Sequence, residues 1–410
     1  MYRLILLVSL AAAPLSARTI TVAAGDNAQE RLQAALIDAA PGDTVELGRG
    51  RFALTDGLSL DVADVTVQGA GQDATTLSFS DQRGEGESLL VTSSGVLLRD
   101  FGVENAKGNG IKAKGSKGIS FVRLRVEWTG APKETNGAYG VYPVSSTDVL
   151  IDRVTVRGAS DAGIYVGQSK NIVVRDSLAE FNVAGIEIEN SYDADVFGNT
   201  ATHNTGGILV FDLPGLPQMG GHSIRVFDNK VIDNDTPNFA AKGNIVAQVP
   251  TGTGIMVMAN RDVHVTGNHI DGNGGNAVVL ASYRQAFSDK SYNPLPREIS
   301  VKGNHFGRNG FAPAFPGGAE LAAAVGGTLP PVMWDGVTTY TVPGGGAKVD
   351  GDPKFAVADG PVLNLGLMTQ GSPISGAKPD VSKSLGSATL VVPATIVLPA
   401  AQLARATASR

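Results

Sequence analysis

Between residues 110 and 310 the chain repeats one short pattern of apolar and polar positions. Glycine followed by isoleucine or valine opens an alternating segment at Gly110-Ile111, Gly140-Val141, Gly163-Ile164, Gly185-Ile186, Gly207-Ile208 and Gly254-Ile255. A second segment lies between these (LIDRV, VVRDS, DVFGN, RVFDN, HVTGN, SVKGN), anchored by Ile151, Val174, Val196, Val226, Val265 and Val301. From Gly163 the markers fall at Gly163, Val174, Gly185, Val196 and Gly207, 11 residues apart, so two steps make a coil of 22. Short β-branched segments of period two are strands, and this repeat length fits no helix pair. The pattern predicts an all-β fold, a single right-handed parallel β-helix in which each coil stacks on the next at about 4.8 Å and buries Ile, Val and Leu. The right hand follows from the chirality of parallel crossovers.

Asparagines keep the same register. Asn199, Asn229, Asn268 and Asn304 each follow a strand anchor by three residues, and Asn204, Asn234, Asn273 and Asn309 follow five later. Stacked coils would turn each set into a column at a bend, where Asn tolerates left-handed backbone and bonds to its neighbours. The chain ends are different. Ala28 to Ala39 has helical spacing, with Leu32, Ala35 and Leu36 on one face, and predicts a short N-terminal helix covering the first rung. Regular coils are expected over about 60–311, an irregular covering segment over 312–376, and a poorly ordered tail over 377–410, although TLVVPATIVLPA could pair as an extended strand.

Composition narrows the setting. MYRLILLVSLAAAPLSA has the short positive start, apolar centre and small-residue end of a secretory signal peptide over 1–17, with cleavage before Arg18. Soluble export, to the periplasm or outside, is the simple expectation, with no membrane span. The absence of cysteine excludes disulfides and thiolate metal sites. A net charge of −6 argues against nucleic acid as a partner.

Departures from the rhythm locate a candidate site. Relative to 11, extra residues enter between Phe121 and Gly140, Gly207 and Val226, Val226 and Gly254, and Asn276 and Val301. All four insertions enter or leave the Gly-Ile strands, so they should project beside one sheet and build a cleft. Alternation makes Lys112, Tyr142, Tyr165, Glu187, Leu209 and Met256 one outward column, and Lys114, Val144, Gly167, Glu189, Phe211 and Met258 the next. Glu187 and Glu189 would then sit about 6–7 Å apart on one face. The paired acids suit proton transfer, so Glu187, Glu189 and Tyr165 are the candidate catalytic residues. Tyr142, Phe211, Asp212, Lys112 and His222 are the candidate substrate contacts. Paired carboxylates can also hold Ca²⁺, but no specific motif supports it, and no metal site or other cofactor is expected. His203, His264, His269 and His305 fall in repeat bends and are expected to be structural.

The Gly-Ile/Val and GN rungs resemble the parallel β-helix repeats of the pectate-lyase-like superfamily, over roughly Thr19 to Gly376. GAYGVYPVSSTDVLI, GASDAGIYVGQSKNIVVRD, NVAGIEIENSYDADVFGN and NTGGILVFDLPG are closer still to a group of exported bacterial β-helix repeat proteins of unknown function. That resemblance implies an exported partner protein, since such proteins tend to be encoded beside one. Alginate epimerases of the superfamily carry a Tyr-Gly-Phe-Asp-Pro-His type motif. Tyr139-Gly140-Val141-Tyr142-Pro143-Val144 departs from it, with Tyr142 at the Asp position and Val144 at the His position, which removes that acid/base pair. No set of Asp ligands with an Arg base matches a Ca²⁺-dependent pectate lyase. Two functions therefore stand side by side. One is a carbohydrate-active or carbohydrate-binding protein acting on a poly- or oligosaccharide, as lyase, epimerase or glycosidase if an enzyme. The other is a non-enzymatic envelope scaffold contacting a partner protein through Leu213–Met219 and 239–249.

Overall fold

A computed structural model describes residues 17–349 and 352–408. The expected signal peptide lies almost wholly outside these residues. Within them the chain winds as a right-handed parallel β-helix. Two sheets of twelve strands and one of ten run along its length, and a small three-stranded sheet sits beside its C-terminal end.

The Gly-Ile sheet stacks in the register that the repeats predict. Ile111 pairs with Val141, Val141 with Ile164, then Ile186, Ile208, Ile255 and Val278 follow in one column. These side chains are fully buried and join the Ile151–Val174–Val196–Val226–Val265–Val301 column of the second sheet in one continuous core. The third sheet was not visible in the periodicity. Its strands mostly hold three residues, as in Thr155–Arg157, Leu178–Glu180 and Thr200–Thr202, with a single inward side chain each, here Val156, Ala179 and Ala201.

The asparagine columns are continuous ladders. Asn199, Asn229, Asn268 and Asn304 are linked Nδ2 to Oδ1 at 2.9–3.0 Å. Asn204, Asn234, Asn273 and Asn309 are linked in the same way, and Asn182 extends that ladder one rung further. Each Oδ1 also accepts the backbone N–H of the preceding Asn, and each Nδ2 reaches a backbone carbonyl, so the buried bend is fully paired. The ladder explains the repeated glycine. A Cβ at Gly163 would lie 2.7 Å from Asn182 Nδ2, and one at Gly185 would lie 2.8 Å from Asn204 Nδ2 and 2.6 Å from Gly207 O.

The ends are closed. The helix Ala28–Asp38 buries Ala28, Leu32, Ala35 and Leu36 against the first rungs, as its spacing predicts. Beyond Phe311 the solenoid continues: Val332–Trp334 and Val362–Asn364 add two more parallel strands to the Gly-Ile sheet. The segment after 377 departs from the expected poorly ordered tail. Asp380–Ser382 pairs antiparallel with Val362–Asn364, and Ala400–Thr407 is a helix. Leu398 and Ala406 are buried there over an outward aliphatic patch of the second sheet, Leu97, Val122, Leu150 and Val173. That patch is what orders the segment, because its apolar area would otherwise face water. Among the described residues no helix is long and apolar enough to cross a membrane.

Asn234→Ala should lower stability by about 3 kcal/mol, since it strands the backbone N–H of Asn204 and removes the donor to the Ala201 carbonyl in a buried bend. Guanidinium unfolding measures this, and an unchanged midpoint would show that the ladder carries no stability.

Candidate functional site

Three of the four insertions gather beside the outer face of the Gly-Ile sheet. Residues 212–221 and 282–296 leave the C-terminal ends of the strands Gly206–Phe211 and Val278–Ala281, and 233–252 returns to Thr253–Met258. Their apolar residues, including Leu213, Met219, Phe239 and Ile245, pack down onto Tyr165, Leu209 and Phe211. The loops are therefore a cover with its own small core.

Beneath this cover the outward columns fall as alternation predicts: Tyr165 pairs with Glu187 and Glu187 with Leu209, while Gly167 pairs with Glu189 and Glu189 with Phe211. Lys112 likewise sits beside Tyr142. What alternation does not convey is depth. Glu187 is 1 % exposed, and neither of its carboxylate oxygens has a hydrogen-bond partner. Glu189 is 7 % exposed and accepts the Tyr165 hydroxyl at 2.6 Å. A third buried acid, Asp161, joins them from the turn before the strand Ala162–Gly167, with Asn244 Nδ2 donating to it at 2.9 Å and the Tyr139 hydroxyl also bonded to it.

Burial governs the protonation of this cluster. Desolvation, then the nearby Glu189 and Asp161 charges, raise the Glu187 pKa well above the usual carboxylate range. Desolvation pushes Glu189 up to about 7 against the opposing hydrogen bond from Tyr165, and pushes Asp161 up to about 7 against those from Asn244 and Tyr139. Three phenols wall the cluster, with ring centroids 4.6 Å apart for Tyr139–Tyr142, 4.5 Å for Tyr139–Tyr165 and 4.9 Å for Tyr142–Tyr165. Tyr139, Asp161, Glu189, Asn244, Tyr283 and Gln285 line a cleft of about 380 Å³. A second cleft of about 460 Å³, lined by Tyr192, Asp212, Tyr292 and Arg297, lies on the other side of the 212–221 loop.

The remaining nominated residues separate into three groups. Lys112 stays at the rim, bound to Glu87 at 2.8 Å and 5.0 Å above the Tyr142 ring. Asp212 lines the second cleft, with both oxygens engaged by the Gly220 and Gly221 N–H groups at 3.0 and 2.8 Å, so it anchors the loop. Burial raises it to about 6 despite those bonds. Phe211 and His222 are placed differently. Phe211 is 1 % exposed under the loops and offers no face to a ligand. His222 opens a strand of the second sheet, stacks on Tyr192 at 4.4 Å and bonds the Gly220 carbonyl, away from the acid cluster. Val144 is buried and has no proton to give. Of the other histidines, His264 lies within the strand Arg261–Thr266 rather than a bend, while His269 and His305 stack at 5.0 Å along the third sheet. Among the described residues, no group of three or more His, Cys, Asp or Glu is placed to hold a metal ion.

Tyr139 escapes a strict alternation count for a local reason, while Asp161 lies before its strand, where no alternation applies. Counted back from Val141 and Ile164, Tyr139 and Ala162 should point inward. The intervening glycine breaks the alternation, because its own missing Cβ faces the interior, and so both turn outward. Asn244 and Tyr283 come from insertions, where no repeat assigns a position.

Such an architecture, stacked parallel coils with a loop-covered acid and tyrosine cleft on one face, defines a right-handed parallel β-helix protein. The chain belongs to the right-handed β-helix family, whose sequence model matches residues 65–215 and 109–312. No curated protein sequence matches it. Among solved structures it is similar to the A-module of mannuronan C-5 epimerase AlgE4 from Azotobacter vinelandii, at 15% identity and a TM-score of 0.50, covering 77% of this chain and 91% of that one. It is also similar to DFA-IIIase from Arthrobacter chlorophenolicus A6 without its lid, at 13% identity and a TM-score of 0.49, covering 78% and 95%. At such identities the likeness is one of fold.

Glu187 binds its proton more tightly folded than unfolded. Its contribution to stability is fully present below its unfolded pKa and is lost as pH rises through the folded value. Glu187→Gln removes that loss, so its stability relative to the parent protein should increase as pH rises from about 5 to about 8. Denaturant unfolding at the two pH values reads the difference, and a gap that does not change with pH would mean that Glu187 is ionised throughout.

Proposed function

We propose that this is an exported carbohydrate-active protein that performs acid–base chemistry on a glycan in the cleft beside Glu189 and Asp161. The observation that carries the proposal is the pairing, in one loop-covered cleft, of two carboxyl groups held near pKa 7 with the rings of Tyr139 and Tyr283. A carboxyl group with a pKa near ambient pH serves as either acid or base, because both forms are populated. The Tyr165 hydroxyl sets the balance at Glu189 by favouring its ionised form. Asn244 and Tyr139 do the same for Asp161. One protonated member delivers its proton to a glycosidic oxygen, while its ionised neighbour accepts a proton from water or from a sugar carbon. Glu187, deeper and without partners, is kept protonated by its burial. The tyrosine rings offer the flat apolar faces on which sugar rings rest.

Glu189→Gln should lower turnover by at least about 100-fold with the fold intact by circular dichroism, since it removes the titrating group. Tyr165→Phe should shift the acidic limb of the pH–rate profile upward, because the hydroxyl that lowers the Glu189 pKa is gone. A polysaccharide panel followed by reducing-end release, and by absorbance at about 235 nm for unsaturated products, separates hydrolysis from β-elimination. Parent-like rates and pH profiles in both variants would remove this cleft as the reaction site.

A further inference from the structure

Exposure along the outer face of the Gly-Ile sheet falls in one direction. One outward column begins at Ser59 and continues through Leu90, Lys112 and Tyr142, whose ring meets Tyr165 at 4.9 Å; Glu187 and Leu209 follow. Ser59 is exposed, Leu90, Lys112 and Tyr142 are half-buried, and Tyr165, Glu187 and Leu209 are buried. The neighbouring column makes the same change, from exposed Lys114 to buried Val144, Glu189 and Phe211.

The placement of the insertions produces this gradient. The strands Tyr139–Val144 and Ala162–Gly167 pass into the second sheet through two residues each, Ser145-Ser146 and Gln168-Ser169, too few to raise a wall. The 212–221, 233–252 and 282–296 insertions belong to later rungs, where Met258, Val279 and Ala281 are buried in the cluster that these loops complete. Leu213, Leu216, Ile245 and Tyr283 bring that cover to the edge of the cleft. The floor therefore runs out towards the N-terminal rungs, while the C-terminal end is closed. A cleft of about 380 Å³ has room for about one or two sugar rings, and a longer chain threading past Glu189 would have to displace packed loops.

The open side has polar groups of its own. Tyr142 packs at 4.6 Å on Tyr139, which lines the cleft, and Lys112 Nζ lies 5.0 Å from the Tyr142 ring centroid while bonding Glu87 at 2.8 Å. The side chains of Lys112 and Glu87 keep 21% and 24% of their surface, enough to reach a ligand. An ammonium, a carboxylate and a phenol side by side can donate to and accept from sugar hydroxyls.

We propose, building on the reading of this cleft as the reaction site, that it acts on the ends of glycan chains: the terminal sugar enters the closed end beside Asp161 and Glu189, and the next lies outward over Tyr142 and the Lys112–Glu87 pair. Each cleavage then shortens the chain from its end. Water adds across the broken bond in hydrolysis, and elimination needs no co-reactant.

The full chain is incubated with polymannuronate, polygalacturonate, xylan and mixed-linkage β-glucan, and product size and residual chain length are followed together by size-exclusion chromatography with light scattering. On a polymer that is cleaved, a product of about one or two sugars should appear from the first time point while the residual chains keep nearly their starting length. Tyr142→Ala should raise KM at least about ten-fold more for a tetrasaccharide of that polymer than for its disaccharide, because only the longer ligand reaches the outer position. Lys112→Met leaves the tyrosine cluster in place and should act in the same direction, so the test survives a folding defect in the first variant. An early fall in chain length with products of mixed size would show that internal segments pass through, which overturns chain-end action and leaves the carbohydrate reading standing. Changes in KM that do not depend on ligand length would overturn the outer position. Cleavage indifferent to Glu189→Gln, or no cleavage of any polymer, would overturn the proposal together with the reading it rests on.

Discussion

The structure depends on the demand that every buried polar group at a coil's bend find its partner in the coil beside it. An asparagine inside a bend can satisfy its own backbone and its neighbour's only if the next coil presents another asparagine at the same height. The ladders from Asn182 to Asn309 and from Asn199 to Asn304 meet that demand, and they hold in register the coils that they join. They also forbid a Cβ at Gly163 and Gly185. Once the bends are locked in this way, added chain can leave only at corners. The long insertions accordingly sit at the borders of the Gly-Ile strands, where they cover a surface without disturbing the stack.

That division explains what was legible in the residues. The core columns and the outward placement of Tyr165, Glu187 and Glu189 follow from period two and a fixed register, so they could be read in advance. Exposure could not. Phe211 points outward yet lies under the loops, because orientation is a local property and cover comes from distant insertions. Tyr139 was hidden by Gly140, which flips the alternation, and Asp161 by its place in a turn-like stretch, GASDAG. The three-residue strands of the third sheet carry one inward side chain each, too little to show a period. The C-terminal segment has no repeat of its own; its order comes from Leu97, Val122, Leu150 and Val173, which lie hundreds of positions earlier.

The cleft illustrates how a solenoid tolerates a locally unfavourable site. Three carboxyl groups in a dry pocket, one of them unpartnered, oppose folding, and a small domain with a single core would feel that cost throughout. Here each coil is held by its two neighbours over three sheets, so the penalty falls on a few rungs while the rest of the stack holds them in place. Rigidity of this kind keeps the acids close enough to raise one another's pKa. A looser scaffold would let them separate, hydrate and return to ordinary acidity.

The C-terminal segment changes how the molecule is knit together. A stack of coils makes almost all its contacts between near neighbours, and such chains can fray from either end. Arg405 instead bonds the carbonyl of Gly95 at 2.7 Å and Thr66 Oγ1 at 3.0 Å, Gln402 bonds the carbonyls of Ile119 and Asp148, and the Ile396 N–H bonds Asp195. The last residues thus run lengthwise across successive coils like a splint. They can seat only after those coils have formed in correct order, which makes their docking a late event in folding and a structural record that the early rungs are complete.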